Sequence, residues 1–191
     1  MRTRARYAVA RYAAIPLAAA LLLTGCGRPG TAVTIDGERL TDAELATLVE
    51  QFSALTGNAL TPGQLIGGVV QSKATLAAVQ NNGGGASVEE AVTVLDRVAE
   101  GNSAEAIDYS DEMILIARSQ IAGAALEASD PKAASQAAED VAAALQEMDV
   151  EINPRFGTWD PEGVVNESGT LDRVLAPVNP FLLAPAEGLS E

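Results

Sequence analysis

Five helix-start signals, spread along the middle of the chain, constrain its fold more than any other feature. Thr41-Asp42-Ala43-Glu44 is a capping box: the Thr41 hydroxyl accepts from the Glu44 amide, and the Glu44 carboxylate reaches back to the Thr41 amide. Leu45, Leu48, Val49, Phe52 and Leu55 follow at helical spacing, and the run stops near Gly57. Thr61-Pro62-Gly63-Gln64 opens a second helix with Pro at its first position. Leu65, Ile66, Val69, Val70, Leu76 and Val79 form its apolar face, and Asn81-Asn82-Gly83-Gly84-Gly85 ends it. Ser87-Val88-Glu89-Glu90 starts a short third helix bearing Val92, Leu95 and Val98, ended by Gly101. Residues 102–109 read as a connector with a turn of helix. Ser110 caps a fourth helix running to about Ala128, with Met113, Ile114, Ile116, Ile121 and Leu126. Asp130-Pro131 starts a fifth, striped by Ala134, Ala138, Val141, Leu145 and Met148.

The period changes on either side of this helical block. Val33 and Ile35 alternate with Thr34 before an Asp36-Gly37 turn, and Val150 and Ile152 alternate with Glu151 before Pro154. Two isolated short strands need a partner, and each is the other's best candidate. The expected fold is therefore mostly α. About five helices are closed by a short two-stranded antiparallel sheet, its strands coming from the two chain ends. Phe156-Gly157-Thr158-Trp159-Asp160-Pro161 reads as a rigid aromatic turn, and Pro180, Pro185 and Gly188 mark residues 161–191 as an extended tail. Val174, Leu175, Phe181, Leu182 and Leu183 are the residues of that tail able to dock on the body.

Residue inventory restricts the chemistry. The chain has no His and one Cys in 191 residues, so His-dependent triads, His-ligated metal sites, internal disulfides and CxxC centres are excluded. A formal charge of −14 argues against a nucleic-acid partner, which calls for a basic face. The glycine run at 83–85 lacks the Lys-Ser/Thr of a phosphate loop. Asp108, Asp111 and Glu112 cluster without the spacing of an EF-hand loop, so neither a metal nor a cofactor is expected. The paired acids Glu89-Glu90, Asp111-Glu112 and Glu139-Asp140 sit at helix starts or on outer faces, where they complement the helix dipole or solvate the surface. No catalytic residue is assigned, and the chain reads as a non-enzyme.

The N-terminal residues speak to location. Arg2, Arg4, Arg6 and Arg11 precede an apolar stretch, Ala13 to Leu23, interrupted by Pro16. This is the layout of a secretory signal and is too short for a membrane span. Leu23-Thr24-Gly25-Cys26 then resembles the bacterial lipobox. That resemblance implies acylation of the Cys26 thiol and cleavage between Gly25 and Cys26. It also implies an extracytoplasmic protein held on the cell membrane, with the lipid bilayer as its partner. A thioether requires a sulfur nucleophile, and the one Cys of the chain stands at that position. Removal of residues 1–25 takes four of the twelve basic residues and leaves a formal charge of −18. A body that acidic gains nothing from anionic lipid, so acyl chains, at roughly 0.8 kcal/mol per buried methylene, must do the anchoring. Residues 26–30 form a short tether.

Three stretches, in order, carry a further resemblance. Val33-Thr34-Ile35-Asp36-Gly37-Glu38-Arg39-Leu40-Thr41-Asp42-Ala43-Glu44-Leu45 is similar to the opening of SurA-type periplasmic chaperones. Residues 83–95 are similar to a later element of that family. Asp149 to Pro161 resembles the end of related actinobacterial lipoproteins. The resemblance covers about 32–160 and implies a SurA N-terminal-like helical chaperone domain over 31–160. The family's prolyl-isomerase insert has no room here. The implied function is a membrane-anchored, chaperone-like binder of unfolded or extended polypeptides without isomerase activity. The alternative is an envelope-assembly or structural lipoprotein that docks one folded partner. Met113-Ile114-Leu115-Ile116 is a longer apolar run than one helix face requires. It is either a helix buried on several sides or, through Met113, Ile114 and Ile116, part of a client cleft.

The anchor gives the first prediction. Cys26→Ala should release the protein from membranes or block its processing, because no other thiol can accept lipid. Fractionation of cells expressing both forms measures this, and unchanged membrane retention with unchanged processing would refute acylation at Cys26.

Overall fold

The computed structural model describes residues 29–104 and 107–161. Cys26 and Gly25 lie outside these residues, as does the tail beyond Pro161, including Val174, Leu175, Phe181, Leu182 and Leu183. The elements in chain order are β1 (Thr31–Ile35), β2 (Glu38–Thr41), α1 (Asp42–Thr56), α2 (Pro62–Asn81), α3 (Val88–Gly101), α4 (Asp111–Ser129), α5 (Pro131–Glu147) and β3 (Val150–Ile152).

Each helix begins where its cap chemistry places it. Thr41, Thr61 and Ser87 close full capping boxes with Glu44, Gln64 and Glu90. Ser110 accepts from the Met113 amide, and Asp130 accepts from the amides of Lys132 and Ala133. α1 ends at Gly57, whose left-handed backbone (φ 68°) lets its amide reach the Ser53 carbonyl at 2.9 Å. α2 and α4 form the central pair. α5 packs on both, α1 packs on α2, α3 and α4, and α3 packs on α1 and α4.

The sheet differs from the expected one in two ways. It has three antiparallel strands in the order β2-β1-β3, and these come from residues 31–41 and 150–152 rather than from the ends of the chain. The expected partners do meet: Val33 lies opposite Ile152, Thr34 opposite Glu151 and Ile35 opposite Val150. The extra strand is β2. Asp36 and Gly37 both take positive φ, 50° and 83°, which is the two-residue turn that folds a strand straight back on itself. Glu38 and Arg39 then lie opposite Ile35 and Thr34, and Leu40 is buried opposite Val33. A single segment thus serves as strand and as the approach to the α1 cap. In the connector, residues 102–103 form a turn and 107–110 hold no helix, while 105 and 106 lie outside the described residues.

The helices cover one face of the sheet. Ala32, Val33 and Ile35 join Leu45, Leu48, Phe52, Leu65, Ile66, Val70, Leu95, Met113 and Leu145 in one continuous core. The segment after β3 latches onto this body. Arg155 pairs with Asp42 at the start of α1 and lies over the Phe156 ring, 4.5 Å from its centroid. Phe156 and Trp159 pack against the core.

Gly63, in the first turn of α2, is what makes the latch fit. A Cβ at that position would meet the Phe156 carbonyl oxygen at 2.6 Å, whereas one at Gly68, a turn further on, meets nothing within 4 Å. Helix propensity alone favours Ala over Gly by roughly 0.5–1 kcal/mol at either position. Gly68→Ala should therefore raise stability by about that amount, and Gly63→Ala should lower it. Paired urea melts check the opposite signs.

Candidate functional site

The one apolar run singled out as a candidate client site lies in the first turns of α4. Met113 is 0% exposed and Ile116 3%, and both belong to the core. Ile114 and Leu115 are half-buried and pack against it. The run is long because α4 is covered on several sides, by α2, α3, α5 and, more lightly, α1. Met113 and Ile116 therefore line no open cleft in this conformation, and Ile116→Asp would test the core. Ile114 is the member of the predicted trio that retains access to solvent.

What holds the start of α4 in place is polar and was not read from the sequence. Gln51, on α1, is 9% exposed and uses both ends of its amide. Its Nε2 donates to the Asp108 carbonyl at 2.8 Å, and its Oε1 accepts from the Ser110 amide at 3.0 Å. These bonds fasten an irregular segment and complete the cap of α4. Asn102 donates to the Leu55 carbonyl at 2.6 Å, tying the end of α3 to α1. Tyr109 donates its hydroxyl proton to Asp96 on α3 at 2.9 Å. Gln51 stands among Leu48, Phe52 and Leu55 at helical spacing, so a polar residue inside that stripe was the available signal.

Several acids have structural partners. Glu90 accepts from the Ser87 amide at 2.8 Å. Asp140 accepts from Asn82 at 2.8 Å and from Gln136 at 3.2 Å, joining α5 to the end of α2. Glu44 accepts from the Thr41 amide at 2.7 Å, and this bond, with the Thr41 hydroxyl and nearby Arg39, holds its carboxyl below the ordinary value. Asp111 and Glu112 lie in the first turn of α4. Among the described residues there is no group of three or more His, Cys, Asp or Glu placed to hold a metal ion. No helix among them is long and apolar enough to cross a membrane. Of the acids with such partners, Glu44 and Glu90 close helix caps, and Asp140 and Asp42 join elements.

Tyr109 supplies a titration test of the connector. Burial first, then donation to Asp96 and the charge of Asp96, push its phenol from 10 up to about 12. A phenol whose folded pKa is raised stabilises the fold fully below pH 10, and that contribution is lost as pH rises through about 12. Phenolate absorbance should show one Tyr titrating near 12. Asp96→Asn should move that midpoint part of the way back, with the remaining shift due to burial. An unmoved midpoint would show that the hydroxyl does not face Asp96.

Scanned against protein-family models, curated proteins and solved structures, the chain matches none. Its functional reading therefore rests on these residues and their geometry.

Proposed function

We propose that the protein is a membrane-anchored, extracytoplasmic lipoprotein whose helical body binds unfolded or extended polypeptide without catalysing a reaction. The observation that carries the reading is Leu23-Thr24-Gly25-Cys26 behind a basic and apolar leader, with the one Cys of the chain at the position acylation requires. The body begins at once after it: Thr31 is already in β1, and residues 26–31 span at most about 18 Å when fully extended. Binding would therefore occur close to the bilayer. The chaperone-like assignment is supported by the order of the three family-like stretches and by a five-helix body bordered by short strands.

One observation favours the second reading, an adaptor that docks a single folded partner. Among the described residues Val88, at 44%, is the one large hydrophobic side chain left exposed. A holdase that works through apolar surface alone needs a larger patch than this.

Aggregation of an unfolded reporter protein separates the two. Stoichiometric full chain in detergent should suppress light scattering by the reporter, and cross-linking in cells should capture many clients. No suppression, together with one stoichiometric cross-linked partner, would refute the chaperone reading and establish the adaptor.

A further inference from the structure

Among the described residues β3 is an edge strand with no strand on its outer side. Asp36 donates its amide to the Asp149 carbonyl at 2.8 Å, and Asn153 donates its amide to the Ala32 carbonyl at 2.9 Å. In an antiparallel ladder the bonding residues alternate, so 149, 151 and 153 face β1. The amides and carbonyls of Val150 and Ile152 point the other way, and they have no backbone partner among the described residues. Such a row is a template for another strand.

The side chains define which strand fits. Val150 and Ile152 lie on the core face and are half-buried, so a neighbouring strand with apolar residues opposite them would complete their burial. Glu151 lies exposed on the outer face, opposite Thr34. Glu147 and Asp149, also exposed, precede it, and residues 147–152 contain no Lys or Arg. These acids repel a second copy of this acidic chain, and opposite charges across a strand pair attract.

We propose that the outer edge of β3 binds an extended polypeptide by adding it as a fourth strand, and that it selects segments alternating apolar and basic residues. Backbone bonds supply the affinity, and Glu151 with its acidic neighbours supplies the preference. The proposal rests on the reading of the body as a polypeptide binder and names where that binding occurs. It would also account for how a body with one large hydrophobic side chain exposed among its described residues holds an extended chain.

The test uses fluorescence anisotropy with full chain in detergent and three labelled short peptides: alternating Val and Lys, alternating Val and Glu, and the Val-Lys peptide N-methylated at the amides that would face β3. The Val-Lys peptide should bind roughly tenfold or more tightly than the Val-Glu peptide, since like charges directly opposite are unfavourable. N-methylation should abolish binding, and Glu151→Lys, a surface change, should erase or invert the charge preference. Added salt should narrow the preference without removing binding. Equal binding of the N-methylated peptide, or an unchanged preference in Glu151→Lys, overturns the proposal. Binding seen only after removal of residues 162–191 also overturns it, by assigning the edge to the chain's own segment. Peptide binding without suppression of reporter aggregation upholds the edge site and fails the chaperone reading. Suppression without peptide binding does the reverse.

Discussion

The pairing of β1 with β3 is the contact on which the rest of the body depends, because it closes the chain around five helices. Asp149 donates its amide to the Asp36 side chain across a separation of 113 residues, and Asn153 donates its side chain to the Thr31 carbonyl across 122. Loop-closure entropy grows only logarithmically, so joining ends this far apart costs about 2 kcal/mol more than closing a loop of roughly ten residues. The two backbone and two side-chain hydrogen bonds that flank the β1–β3 ladder, at a net of about 0.5–1.5 kcal/mol each, are already of the size needed to offset that difference. The Arg155–Asp42 pair and the fit of the Phe156 carbonyl over Gly63 then fix the returning segment against the starts of α1 and α2. A three-residue strand suffices because its neighbours on both sides are also held.

Inside this closure the helices meet through small side chains. Ala74 and Ala78 of α2, Ala117 and Ala122 of α4 and Ala137 of α5 are all buried, and Phe52 is the one fully buried aromatic side chain among the described residues. Small contacts bring backbones close, and close backbones leave little tolerance for unsatisfied polar groups. Ser119 meets this by donating to the Ile116 carbonyl at 2.8 Å within its own helix. Gln51 meets it by bonding a segment 57 and 59 residues away. The same amide that would be costly in an apolar stripe becomes the clamp for the start of α4.

This explains what was legible in the sequence. Helix starts were, because a cap is local chemistry: Thr41, Thr61, Ser87, Ser110 and Asp130 bond amides two or three residues away. The β1–β3 pairing was legible because Val33–Ile35 and Val150–Ile152 are the two clear apolar-alternating runs flanking the helical block, although β1 also pairs with β2. β2 was missed because Glu38 and Arg39 show no apolar alternation; its strand character comes from the Asp36-Gly37 turn and from β1 beside it. The role of Met113 to Ile116 was not decidable from composition, since a helix covered on several sides and a helix lining a cleft present the same run of residues. Gln51 was missed because its partners, the Asp108 carbonyl and the Ser110 amide, are backbone groups, and residue type carries no trace of them.

Acidity links the closure to the proposed function. With Cys26 acylated, the tether enters β1 at Thr31, and the Thr31 carbonyl is bonded by Asn153, the residue that follows β3. An acyl group on Cys26, if carried as proposed, would thus be tethered through Thr31 to the sheet that β3 borders. At a formal charge of −18 for the chain from Cys26, two copies held on one membrane as proposed would repel each other, which disfavours pairing of an exposed strand edge with its own kind. The charge that prevents self-pairing at Glu147, Asp149 and Glu151 is also what favours a basic strand arriving there. Under the proposed function, a β3 edge unpaired among the described residues, guarded against its copies and complementary to cationic extended chain, would let an acidic helical body hold polypeptide without exposing its core.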